Sequence, residues 1–105
     1  MADPVKIDLP RAKLHLRVDG SDEDTLITSW IDAAYLAIEG TIFRKVYVTA
    51  ADIPPEDTTG IVLDEAINSA ALLIIGQLYA NREASGVPTS AQWLLRPYVN
   101  AAGGF

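Results

Sequence analysis

The stretch from Ile61 to Ala84 most constrains what this chain can fold into, because it is helix-length and apolar on both sides. Leu63, Ile67, Ala70, Ile74 and Leu78 fall on one stripe at 3.6 residues per turn, while Ile61, Leu72, Ile75 and Tyr79 fall nearly opposite. Both faces want burial. Such a helix is either central and wrapped by the others, or it packs one face on another subunit. The chain has 105 residues, so one core and one domain over 1–105 are expected. Half the residues are hydrophobic and 21% are charged, the balance of a folded module.

Three further helices are predicted around it, giving an all-α fold of about four helices, two long and two short. Asp8-Leu9-Pro10 reads as a helix start and predicts a short helix from Leu9 to about Arg17, stopped by Gly20. Leu14 to Val18 also alternates with strand period. Ser21, followed by Asp22, Glu23 and Asp24, reads as the cap of a second helix, with acids in its first turn. Its stripe is Leu26, Ile27, Trp30, Ile31, Ala34, Ala37 and Ile38, and Gly40 is the expected C′ residue. Residues 41–60 differ: Ile42 to Val48 is β-branched and aromatic, and Pro54 to Gly60 cannot lie in a helix interior. A long extended arm or β-hairpin-like loop is expected there, as a contact element. Thr89 or Ser90 caps a last short helix, Ala91 to Leu95, and residues 100–105 read as a flexible tail.

Composition removes several functions. There are 8 Lys+Arg against 14 Asp+Glu, a net charge of −6, which does not support gripping duplex DNA by phosphate neutralisation. The absence of cysteine removes disulfides, thiolate metal sites and cysteine nucleophiles. The opening Met1-Ala2-Asp3-Pro4 lacks the basic stretch and apolar run of a signal peptide. The longest unbroken apolar run, Ala70 to Ile75, is far too short to cross a bilayer, so no membrane association is expected.

No catalytic, metal-binding or cofactor-binding set emerges. His15 is the single histidine, and an ordinary surface residue is the simpler reading. The acids Asp19, Asp22, Glu23 and Asp24 lack the frame of a calcium loop, and helix capping explains them. No nucleophile elbow or phosphate-cradling glycine loop is present. Asp64 and Glu65 are adjacent and point about 100° apart on a helix, where first-turn acids are expected anyway. Arg44-Lys45 beside Phe43 and Tyr47 is a small basic pair with aromatics, whose plain reading is a solvated edge.

Four features then occur in order: Leu9-x-x-Ala12-Lys13-x-His15-Leu16-Arg17-Val18-Asp19, Asp22-x-Asp24-x-Leu26-Ile27, Ala70 to Gly76 continuing into Leu78-Tyr79-x-Asn81-Arg82-Glu83, and Leu94-Leu95-Arg96-Pro97-Tyr98. In this order and spacing the chain resembles the small head-tail connector (adaptor) proteins of tailed bacteriophages. The resemblance implies a non-enzymatic, all-helical virion subunit, assembled in the host bacterial cytoplasm. It implies a twelvefold ring of copies beneath the portal protein, extending the DNA channel and carrying the next tail-completion (stopper) protein, with DNA passing unbound. It implies subunit contacts through Asn81, Arg82 and Glu83, and portal docking around Trp93, Leu94, Leu95 and Tyr98. The second face of the third helix (Leu72, Ile75, Tyr79) and the arm (Phe43, Tyr47) are expected to be intersubunit surfaces. A small acidic protein-binding module of low oligomeric state is the alternative, using the same apolar surface.

Overall fold

Asp8 opens the first helix as predicted: its Oδ1 accepts from the Arg11 backbone N–H at 2.9 Å, and Pro10 in the first turn sacrifices no intrahelical bond. In the computed structural model, which describes residues 5–81 and 87–100, this helix, α1, spans Leu9–Leu16. It ends before Gly20. Arg17 takes the left-handed conformation (φ 59°), and the Val18 N–H reaches back to the Lys13 carbonyl at 2.9 Å.

The second helix, α2, spans Asp24–Ile42. Glu23, not Ser21, stands at its N-cap, and the Ser21 carbonyl instead accepts from the Asp24 N–H in the preceding turn. Gly40 does not end it. The helix runs through Gly40 and stops at Phe43, which adopts φ 57° and donates its N–H to the Glu39 carbonyl at 3.0 Å. The reason lies in Ile42, which the extra turn buries completely. Burying an isoleucine stabilises by roughly 1.5–3 kcal/mol. A glycine inside a helix costs about 1 kcal/mol and a left-handed residue about 1–2 kcal/mol, so burial is comparable to the two costs together.

The arm holds two short strands, β1 (Val46–Tyr47) and β2 (Ile61–Val62), with a 3₁₀ turn at Ala50–Asp52 between them. The strands pair parallel, Val46 with Ile61 and Tyr47 with Val62. A tight hairpin makes only antiparallel pairs, so the arm is a crossover loop closed by a parallel clasp. Ile61 therefore belongs to this clasp and not to the third helix. That helix, α3, spans Glu65–Ala80, and Asp64 caps it by accepting from the Ile67 N–H at 2.9 Å. The last helix, α4, spans Thr89–Leu95, two residues earlier than expected, and runs into a 3₁₀ turn at Arg96–Tyr98.

Helix α3 is the central one: α1, α2 and α4 all pack on it. Within it only Glu65, Ser69 and Ala80 are exposed. Ile67, Ala70, Ala71, Ile74 and Ile75 join Ile27, Ile31, Ala34, Ile38, Leu63 and Leu95 in one core. Trp30 meets Tyr79 edge-on at 6.2 Å between ring centroids. One polar group sits inside. Asn68, fully buried, accepts from the Tyr35 hydroxyl at 2.5 Å and donates to the Val5 carbonyl at 2.8 Å, while Tyr35 accepts from the Ile7 N–H at 2.9 Å. The segment preceding α1 is thereby pinned across α2 and α3.

Candidate functional site

The arm forms a structured edge because its polar groups satisfy one another. Asp57 is the hub: Oδ2 accepts from the Tyr47 hydroxyl at 2.7 Å, while Oδ1 accepts from the Thr59 and Gly60 N–H groups at 3.0 and 2.9 Å. Gly60 is required by closeness, since a Cβ there would lie 2.6 Å from Tyr47 Cε2. Glu39 reaches from α2 to accept from the Val46 N–H at 2.8 Å, which covers the outer edge of β1.

Arg44 joins three segments. Its Nε donates to the Tyr98 carbonyl at 2.8 Å and its Nη1 to the Thr59 carbonyl at 3.0 Å. The Tyr98 hydroxyl donates to Asp64 Oδ2, the same carboxylate that caps α3, and the Asn100 N–H donates to the Ile42 carbonyl at 2.8 Å. The segment after α4 is thus laced to the arm and to the ends of α2 and α3. Between arm and α2 lies a cleft of about 670 Å³ lined by Phe43, Arg44, Lys45, Tyr47, Pro54 and Asp57 among others.

These bonds set the electrostatics. The hydrogen bond to Asp57 pushes the Tyr47 phenol up to about 12, and the bond from Tyr47, then those from Thr59 and Gly60, hold the Asp57 carboxyl below its ordinary range. The bond to Asp64 likewise pushes Tyr98 up to about 12. On the far side, the Arg11 guanidinium, 3.0 Å from Glu65, holds that carboxyl low. Each of these groups is explained by a structural partner, while burial pushes the Tyr35 phenol up, and none has the pairing of a nucleophile with a base.

The residues singled out from sequence fall in different places. Phe43 and Tyr47 share the arm cleft, with Phe43 45% exposed. Leu72 and Tyr79 are half-buried at the margin of the core. Ile75 and Leu95 are fully buried within the chain, because α4 and α1 cover the second face of α3, so neither presents surface to a partner. Asn81 is exposed at the C-cap of α3, donating its N–H to the Gln77 carbonyl at 2.8 Å. Arg82, Glu83 and residues 101–105 of the tail lie outside the described residues. Trp93 is 69% exposed while Leu94 and Tyr98 are half-buried, so the α4 set divides into an outward tryptophan and an inward leucine.

Sequence reasoning missed two outward leucines. Leu14 on α1 and Leu36 on α2 are 79% and 68% exposed. The signal was present for Leu36, a large aliphatic residue in the middle of α2 that its apolar stripe leaves out. Leu14 lines a second groove, of about 690 Å³, with Leu9, Pro10, Val18 and Asp19, and beside it Lys13 Nζ lies 2.8 Å from Asp24 Oδ1.

Among the described residues no cluster of His, Asp or Glu is placed to hold a metal ion, and no helix is long and apolar enough to cross a membrane. His15 lies exposed, its Nε2 over Gly76. Searches among curated proteins and among solved structures found no match. A scan against protein-family models matched residues 6–95 to one family, described as phage gp6-like head-tail connector protein.

Proposed function

Because this chain belongs to the phage gp6-like head-tail connector family, we propose that it is a ring-forming subunit seated between the portal and the next tail-completion protein. The family is structural and non-enzymatic, and a phage structural protein belongs to the virion. The family match over residues 6–95 carries this reading, since it takes in all four helices and the arm.

Physical features support it. A closed ring needs heterologous contacts, in which one patch of a subunit meets a different patch of the next. Leu14 and Trp93 are outward apolar side chains on two helices that both pack on α2 and α3. The arm, with Phe43 exposed on its cleft, is a further surface for a neighbouring copy. The net charge of −6 suits a conduit through which DNA slides without binding.

Removing the gene from the phage that carries it tests the reading. The expected result is DNA-filled heads that accumulate without tails and are completed when the protein is added back. Normal tailed particles in its absence would overturn the proposal.

A further inference from the structure

We propose that Trp93 of one copy seats in the α1 groove of the next, with Arg96 of the first copy facing the acidic corner between α1 and α2 of the second. The inference rests on the ring reading and specifies its contact. Trp93 projects from α4, and Arg96 follows it by three residues, which places both on one helical line. Arg96 and Pro97 are exposed with it, and residues 87–100 contain no acid. The outward face of this segment is thus one large aromatic beside one positive charge, the composition of an interface anchor.

The groove has the complementary character. Leu9, Pro10, Leu14 and Val18 supply apolar walls around a space of about 690 Å³, and a seated tryptophan removes roughly 150–250 Å² from water. At its end the chain turns from α1 into α2, where Asp19, Asp22, Glu23 and Asp24 stand against Arg17. Lys13, the other cation there, is already taken by Asp24 at 2.8 Å. Asp19 lines the groove with Arg17, and Asp22 is exposed beside it, so a guanidinium arriving beside the indole meets an excess of carboxylates over the one exposed cation.

Geometry favours a second copy as the occupant. Helices α1 and α4 each pack on α2 and α3, and the groove residues and Trp93 belong to different helices. The groove and the tryptophan are therefore different patches of one molecule, and their union is head-to-tail, the arrangement that propagates and closes into a ring. The portal is the rival partner for Trp93.

The chain has no cysteine, so disulfide trapping reads this contact without background. Thr89 lies four residues before Trp93 on its face of α4, and Pro10 lines the groove; both are exposed. The Thr89→Cys, Pro10→Cys double variant should give, under mild oxidation, a ladder of linked dimers, trimers and higher species, with none from either single variant. Arg96→Glu should raise the concentration for half-assembly at least about tenfold, and adding Asp19→Lys should return it to within about threefold, while circular dichroism shows an unchanged helical monomer. Rings that form without the ladder and ignore Arg96→Glu would overturn this contact and leave the ring reading standing. A dimer from Thr89→Cys alone would overturn it in favour of a symmetric pairing of α4. Failure of the unaltered protein to assemble at any concentration would contradict both readings.

Discussion

Asn68 is the single fully buried polar residue among those described, and it holds α2, α3 and the segment before α1 in one register. Truncating it strands the Tyr35 hydroxyl and the Val5 carbonyl in the interior, so Asn68→Ala should cost about 2–3 kcal/mol in urea denaturation. An unchanged midpoint would show that the relay contributes nothing. Gly60 constrains by closeness: Gly60→Ala drives a Cβ against the Tyr47 ring and should destabilise by roughly 1–3 kcal/mol. Neither role was legible beforehand. Asn68 lies on the predicted helix between apolar positions and carries no pattern of its own, and Gly60 looks like an ordinary loop glycine until the tyrosine is seen above it. Capping was more readable, since Asp8 and Asp64 act locally, through an amide three residues away. The end of α1 falls about where it was expected, at Arg17, whereas α2 runs past the expected Gly40 to Phe43, where burial of Ile42 opposes the backbone preference.

At the scale of elements, α1, α2 and α4 follow from periodicity with small shifts at their ends, and α3 loses its expected first turn to the arm. The reason is that Ile61-Val62 serves helix and strand equally in sequence, and only pairing with Val46-Tyr47, well upstream, decides between them. The arm itself depends on Asp57. Its folded carboxyl lies below the ordinary range, so its contribution is complete above about pH 4 and fades as pH falls through the lower folded value. Tyr47, raised to about 12, has the opposite sense: its contribution is complete below about pH 10 and is lost as pH climbs through the folded value of about 12. Hydrogen exchange at the Thr59 and Gly60 amides should therefore accelerate in Asp57→Ala at neutral pH, while the α3 core amides stay protected. Equal acceleration throughout would mean that the arm and the core open together. Helix α4 gives a second contrast. Leu95→Ala empties a buried site and should cost about 2–5 kcal/mol, whereas Trp93→Ala should leave monomer stability within about 0.5 kcal/mol.

For the whole molecule, the apolar excess of α3 is spent inside the protomer. Ile75→Glu should abolish the fold, because it buries a charge at a site with no exposure, and an intact helical monomer would show that this face is free. The exposed apolar surface lies elsewhere, on Leu14, Leu36, Phe43 and Trp93 among others. The family was legible in the order and spacing of four short motifs, and the family match over residues 6–95 takes in the first three and the start of the fourth. The surfaces were not legible, because an outward leucine and a core leucine are the same letter, and only the packed helices separate them. Whether these surfaces join copies into a ring is read from native mass by light scattering across a concentration series, with negative-stain images. A closed ring with a central hole should grow in as concentration rises. A compact dimer at every concentration would contradict it.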